Sequence, residues 1–126
     1  MALKLLIVDD SPDDATLIAC NVKRAGYALE WKRVDNEADF AGALPGAALV
    51  ICDFSMPRFS PIRALEMIHE SGRDTPLLLV SGSVSVDSAN RIMGLGAVGY
   101  LLKDKLDRLG QAVSDALAGR PDEPTA

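Results

Sequence analysis

Charged and hydroxyl side chains follow several short apolar runs of this sequence, each at the point where the run ends. The run Leu5–Val8 leads directly into two adjacent aspartates. The whole set comprises three carboxylates, one hydroxyl and one ammonium: Asp9, Asp10, Asp53, Ser81 and Lys103. Two like charges about 4 Å apart repel by roughly 4 kcal/mol at an effective dielectric constant of 20. Adjacent aspartates at the end of an apolar run therefore need a compensating positive charge.

The chemistry of this set is that of a magnesium site for phosphoryl transfer. Clustered carboxylates without a nearby histidine or cysteine are hard oxygen ligands, which favour Mg²⁺, with Mn²⁺ as a substitute. The ion would neutralise the repulsion and keep coordination positions for phosphoryl oxygens, while Lys103 adds a second positive charge and Ser81 a hydrogen bond. An aspartate can itself be the nucleophile and form an acyl phosphate.

The elements that must position these side chains are strands and helices in alternation. Apolar runs predict strands over 3–8, 29–34, 47–52, 77–80 and 98–102, with 29–34 near a sheet edge. Helical patterns cover 12–25, 36–44, 61–70, 86–93 and 106–117, the first ending at a glycine. This alternation predicts an α/β domain whose parallel sheet is covered on both faces. Ligands of such sheets bind beyond the carboxyl ends of the strands, so we expect the polar set to meet there.

Two further carboxylates have a simpler interpretation as helix-entry residues. Ser11 is a typical N-cap, and Pro12 suits the first helical position. Asp13 and Asp14 would then lie in the first turn, where the helix dipole favours negative charge. The spacing of Ser11 and Asp14 approximates a capping box.

Composition limits the classes of protein to which the chain can belong. Its 126 residues suit one domain, for which we predict residues 1–118, with 119–126 as a polar, proline-containing tail or linker. The net charge of −5 argues against direct nucleic-acid binding. No run approaches the ~20 apolar residues of a membrane helix, and we expect a cytoplasmic protein without membrane contact. Cys20 and Cys52 show no metal or disulfide spacing, which predicts two buried, reduced thiols.

The sequence resembles the receiver domain of two-component response regulators, of the chemotaxis-regulator type, over roughly residues 3–118. The matching segments are IVDDSP, ICDFSMP, LLLVSGS and GAVGYLLK. This resemblance implies a single flavodoxin-like (βα)5 doubly wound domain. Its five-stranded parallel sheet would have the order 2-1-3-4-5, with helices on both faces.

The resemblance implies which residues accept the phosphoryl group and bind the metal. Asp53 matches the phosphoacceptor, which takes phosphate from a phosphohistidine. Asp10 and Asp53 would coordinate Mg²⁺ together with the backbone carbonyl of Ser55, and Asp9 would assist through water. The domain would be a signalling domain, not an enzyme, although it assists its own Mg²⁺-dependent phosphorylation and dephosphorylation.

The resemblance also implies a switch. Ser81 and Lys103 would bind the phosphoryl oxygens, with Gly82 beside the pocket. Tyr100 matches the aromatic switch position, which reorients when Ser81 moves toward the phosphate. The changed face, formed by the last strand and its flanking helices, would then act on partners.

The implied partners are a sensor histidine kinase or phosphotransfer protein, and a downstream protein target or output domain. A homodimer through the last strand and its flanking helices is a further option. Two departures from the family pattern leave an alternative open: Asp104 stands where a proline usually follows the lysine, and Pro61 lies near the place of a usual glycine. The alternative is a receiver-like docking or dimerisation module that makes little or no use of phosphorylation.

Overall fold

The computed structural model describes residues 2–82 and 85–118, which alternate between strands and helices. The strands are β1 (Leu3–Val8), β2 (Leu29–Val34), β3 (Leu49–Cys52), β4 (Leu77–Ser81) and β5 (Gly99–Leu102). The helices are α1 (Pro12–Arg24), α2 (Glu37–Ala43), α3 (Pro61–Glu70), α4 (Val86–Gly94) and α5 (Leu109–Leu117). Short 3₁₀ segments occupy Leu44–Gly46 and Lys103–Arg108.

The sheet is parallel and has the order β2-β1-β3-β4-β5, as the resemblance implied. Its register aligns the strand ends, because Val8 pairs with Cys52 and Ser81 pairs with Leu102. The residues that follow β1, β3 and β5 therefore emerge at the same edge as the end of β4. This confirms the predicted fold and the predicted edge.

Two hydrophobic cores cover the two faces of the sheet. Successive residues of a strand point to opposite faces. Leu5 and Ile7 accordingly pack against α1 and α5, whereas Leu6 and Val8 pack against α2, α3 and α4. Every residue of β3 and β4 is buried, which explains why these strands are apolar without alternation.

Polar side chains begin four of the helices. Ser11, Asn36, Ser60 and Ser85 each accept a hydrogen bond from the backbone N–H three residues later. These caps satisfy amides that have no partner within the helix. Ser11 thus confirms its predicted role, and α1 ends just before Gly26, whose φ of 108° favours glycine.

The predicted closing helix over 106–117 is wrong at its start. The chain forms a 3₁₀ segment from Lys103 to Arg108, with non-helical dihedral angles at Lys105, and the α-helix begins only at Leu109. Leu106 and Leu109 are both buried, as the apolar pattern predicted. Residues three apart share a side in both helix types, so this spacing could not distinguish them.

The prediction of two buried thiols is also wrong for one cysteine. Cys52 is buried in β3, but Cys20 is exposed on α1. Ile18, Ala19 and Val22 supply the buried stripe of this helix, and Cys20 lies outside it.

Among the helices of the described ranges, none has the length and hydropathy that a bilayer crossing requires. The predicted tail, 119–126, lies outside the described residues.

Candidate functional site

Three carboxylates meet at the carboxyl edge of the sheet. Asp9 and Asp10 follow β1, Asp53 follows β3, and one carboxylate oxygen of each lies within 4.8 Å of the others. Asp9 and Asp53 are buried, at 1% and 6% exposure, whereas Asp10 is exposed. The sheet register brings these predicted residues together, because β1 and β3 are adjacent.

Asp9 is the most deeply buried carboxylate of this cluster. Its Oδ1 accepts a hydrogen bond from the backbone N–H of Ser11 at 2.9 Å. Its Oδ2 lies 2.9 Å from Lys103 Nζ as an ion pair, yet meets no donor with hydrogen-bond geometry in the described part of the chain. Burial raises the pKa of Asp9 above its ordinary value, and the Ser11 amide and Lys103 only partly offset this.

Lys103 lies at the centre of the cluster, directly after β5. Its Nζ is 2.7 Å from Asp14 Oδ2, 2.9 Å from Asp9 Oδ2 and 3.6 Å from Asp53 Oδ2. Burial alone would lower the pKa of Lys103. The hydrogen bond to Asp14, the ion pair with Asp9 and the nearby charge of Asp53 outweigh burial, so the pKa lies above its ordinary value. The ammonium therefore compensates the charge of Asp9, one of the two adjacent aspartates, together with that of Asp14 and Asp53.

Asp14 is a member of the site that sequence reasoning missed. Its N–H donates to Ser11 Oγ at 3.2 Å, as in a capping box. Its side chain, however, reaches Lys103 across 89 positions of sequence. The backbone N–H of Ser11 instead donates to Asp9. Helix-entry rules explained Asp14 completely, so no signal separated it from Asp13.

Arg33 is a second residue that sequence reasoning missed. It lies near the end of β2, and its Nη1 donates to the backbone carbonyl of Asp9 at 3.2 Å and pairs with Asp35 at 3.5 Å. Arg33 thereby holds the backbone of the loop that carries the acidic pair. Inspection of the end of β2, as of the other strands, could have found it.

The remaining predicted residues lie around the cluster. The backbone N–H of Ser55 donates to Asp53 Oδ1 at 3.5 Å, which places the Ser55 backbone beside that carboxylate. Ser81 is buried at the end of β4, and Gly82 is exposed just beyond it. Tyr100 pairs with Leu79 on the neighbouring strand and is 38% exposed.

The donor set fits a hard divalent cation. Carboxylate oxygens are the ligands that Mg²⁺ prefers, and two of the three carboxylates here are withdrawn from water. Asp9 Oδ2 is buried without a hydrogen-bond donor among the described residues. The Lys103 ammonium is 2.9 Å from that oxygen, and a divalent cation in the cluster would add to its charge and reduce the repulsion between the carboxylates.

Comparison with known proteins agrees with the fold. The family model for the response regulator receiver domain matches residues 5–114. Chemotaxis protein CheY of Treponema pallidum is 30% identical over 108 residues, which cover 83% of this chain and 74% of that protein. The signal receiver domain of a Luxo repressor protein from Vibrio parahaemolyticus superposes with a TM-score of 0.83 at 25% identity, covering 94% of this chain and 92% of that one.

A longer relative matches over a fraction of its length. Transcriptional regulatory protein ZraR of Klebsiella oxytoca is 29% identical over 115 residues, which cover 90% of this chain but 26% of that protein. The chain thus spans about a quarter of this relative.

Proposed function

This chain belongs to the response regulator receiver domain family, and we propose that it is a phosphorylation-dependent switch in which Asp53 accepts a phosphoryl group from a histidine kinase. Receiver domains of response regulators are signalling domains rather than classical enzymes. One observation carries the proposal: Asp53 belongs to the acidic cluster, and its Oδ2 lies 3.6 Å from the ammonium of Lys103.

The proposed step is a transfer from nitrogen to oxygen. A carboxylate oxygen of Asp53 attacks the phosphorus atom of a phosphohistidine, the new P–O bond forms as the P–N bond breaks, and the imidazole leaves with the electron pair. Asp53 is buried, and the backbone N–H of Ser55 donates to its Oδ1, which restricts the directions that its carboxylate can take. Lys103 is close enough to turn toward the phosphoryl oxygens and stabilise their charge.

Asp9, Asp10, Asp53 and the backbone carbonyl of Ser55 are proposed to hold Mg²⁺, or Mn²⁺ in its place. When bound, the ion would neutralise the carboxylates and the phosphoryl oxygens during transfer. The close approach of the three carboxylates supports this assignment, since their oxygens lie within 4.8 Å of one another and two of the groups are buried.

The output of the switch is proposed to pass through Ser81 and Tyr100. Ser81 is one of three buried polar residues of the described chain, and a phosphoryl group on Asp53 would draw its hydroxyl and the adjacent Gly82 inward. Tyr100, two pairing positions back along the next strand, would then change its exposure.

Partners are proposed to bind the surface made by α4, β5 and α5. Val86 and Tyr100 on these elements are large apolar residues with 68% and 38% exposure, which suits a protein contact. The partners would be a cognate kinase or phosphotransfer protein, and a target protein, output domain or second copy of the chain. We propose that residues 1–118 form this domain, that it works in the cytoplasm, and that it contacts neither nucleic acid nor membrane directly.

Intact-mass measurement after incubation with Mg²⁺ and acetyl phosphate tests the proposal. We expect one phosphoryl adduct on the wild type and none on Asp53→Asn. Chelation with EDTA should abolish the adduct. A purified, phosphorylated histidine kinase serves as the second phosphodonor. It distinguishes a protein that reacts slowly with acetyl phosphate from one that cannot be phosphorylated.

Failure with both donors would overturn the switch. A wild type that takes up no phosphoryl group from either donor, although calorimetry shows bound Mg²⁺, would favour the docking or dimerisation module. An adduct that persists on Asp53→Asn would place the phosphoacceptor elsewhere.

A further inference from the structure

The ammonium of Lys103 has a closer partner outside the acidic cluster than any within it. Its Nζ donates a hydrogen bond to Asp14 Oδ2 at 2.7 Å, while Asp53 Oδ2 is 3.6 Å away. Asp14 is not among the three carboxylates that could share a cation. The position of Lys103 therefore depends partly on Asp14, a carboxylate outside the candidate metal site.

The helix entrance directs Asp14 toward Lys103. Asp14 is the third residue of α1, and Ser11 Oγ accepts its backbone N–H. The carboxylate has no role in capping Ser11, because that amide donates to Asp9 Oδ1. The side chain of Asp14 is 43% exposed, whereas that of Lys103 is 19% exposed.

An ammonium has three N–H donors, and two short contacts already use the directions toward Asp9 and Asp14. A phosphoryl group on Asp53 would bring new anionic oxygens to the third and most distant partner. The third N–H remains for the Asp53 side, but Nζ lies 2.7 Å from Asp14 and 3.6 Å from Asp53 Oδ2. Charge-assisted N–H···O⁻ bonds are about 2.7–2.9 Å long, so closer binding of Nζ on the Asp53 side lengthens its contact with Asp14. The carboxylate of Asp14 and the phosphoryl oxygens thus compete for the position of the ammonium.

We propose that Asp14 is a positioning residue that competes with the phosphoryl group for Lys103 and so weakens the phosphorylated state. This inference rests on the proposed function of Asp53. Asp14 acts through Lys103 and does not touch the reacting atoms. Asp14 would thereby set the stability of the phosphorylated state without changing the metal ligands.

Beryllofluoride, which mimics a phosphoryl group on a carboxylate, provides the first test. Its affinity is measured by calorimetry at saturating Mg²⁺ for wild type, Asp14→Asn and Asp14→Ala. Because an exposed ion pair contributes about 0.2–1 kcal/mol, we expect both variants to bind about 1.4- to 5-fold more tightly. Asp13→Asn is the matched control, since it removes the same charge from the same turn, and its affinity should stay near that of the wild type.

A second measurement needs neither metal nor phosphoryl mimic. The rate at which an amine-acylating reagent modifies Lys103 is followed by peptide mass spectrometry in EDTA. An amine held by hydrogen bonds reacts slowly, so Asp14→Asn should react faster at Lys103 than the wild type and Asp13→Asn. The effect of Asp14→Asn on beryllofluoride binding should also vanish when Lys103 is replaced by methionine.

The outcomes separate this inference from the proposed function. Tight beryllofluoride binding by the wild type, with Asp14→Asn equal to Asp13→Asn in affinity and in Lys103 reactivity, would overturn the competition alone. Failure of the wild type to bind beryllofluoride or accept phosphate would overturn the proposed function and this inference together.

Discussion

Asp9 and Lys103, separated by most of the chain, form an ion pair of 2.9 Å at the carboxyl edge of the sheet, and the Asp9 side chain is only 1% exposed. The ion pair does not fully compensate the charge of Asp9. The cost of withdrawing this carboxylate from water exceeds the stabilisation by Lys103 and the Ser11 amide, so its pKa stays raised. The burial of the charged form of Asp9 thus lowers the stability of the metal-free protein.

Replacing Asp9 by asparagine should stabilise the metal-free protein at neutral pH. Repulsion between like charges about 4 Å apart lies between about 1 kcal/mol in water and about 4 kcal/mol near a protein surface. We expect the free energy of unfolding of Asp9→Asn to rise by on the order of 1 kcal/mol in EDTA, measured by urea unfolding. The exposed-loop variant Asp74→Asn removes the same charge and should change little.

The gain from Asp9→Asn should depend on pH with a defined sign. The pKa of Asp9 is raised in the folded state, so the folded protein binds this proton more readily than the unfolded chain. The contribution of Asp9 to the free energy of unfolding of the wild type therefore falls as pH rises from 3.8, the ordinary value, through the raised pKa. The advantage of Asp9→Asn should shrink as pH is lowered through that window. A constant difference across it would contradict the role of this carboxylate.

Magnesium should raise the melting temperature of the wild type. A ligand that binds only the folded state stabilises it by about 2.7 kcal/mol at 100 times its dissociation constant. Thermal unfolding in MgCl₂ is compared with unfolding in EDTA at the same ionic strength. The double variant of Asp10→Asn and Asp53→Asn should lose most of this shift. An equal shift in that variant would assign the ion to another place.

The two cysteines should differ sharply in reactivity. Cys20 is exposed, whereas Cys52 is enclosed in β3 and burial raises the pKa of its thiol well above the ordinary value. We expect an aromatic disulfide reagent to modify one thiol in the native protein and both in denaturant. Cys20→Ser should leave no rapidly reacting thiol. Rapid native modification of that variant would contradict the closed packing beside Asp53.

Gly110→Ala should destabilise the contact between α1 and α5. A Cβ at Gly110 would lie 2.6 Å from the Cβ of Ala25, so one helix must shift. Overpacking of this kind costs about 1–3 kcal/mol. Gly42→Ala in α2 is the matched control, because a Cβ there meets nothing within 4 Å and alanine favours a helix by up to about 1 kcal/mol. Equal unfolding free energies for the two variants would contradict the close approach.

Local sequence rules determined the elements and their carboxyl ends. Apolar runs marked the strands because a strand buried on both faces must be apolar throughout, as β3 and β4 are. Ser11, Pro12 and Gly26 marked the limits of α1 through backbone geometry that neighbouring residues impose. These rules failed at Lys105, where a three-residue spacing suits both helix types. They also predicted a buried Cys20, which is wrong, because the general preference of free cysteine for the core is overridden by its position outside the buried stripe of α1.

The sequence by itself also predicted which residues share the acidic edge, since parallel strands in alternation end at the same side. Only the tertiary structure decided how those residues pair. Asp13 and Asp14 are equivalent as first-turn acids, yet the carboxylate of Asp14 is the one that meets Lys103. Arg33 supports the Asp9 backbone from the neighbouring edge strand. Such pairings depend on distances across the sheet and on which side chain a helix turn directs inward, and neither is a property of local sequence.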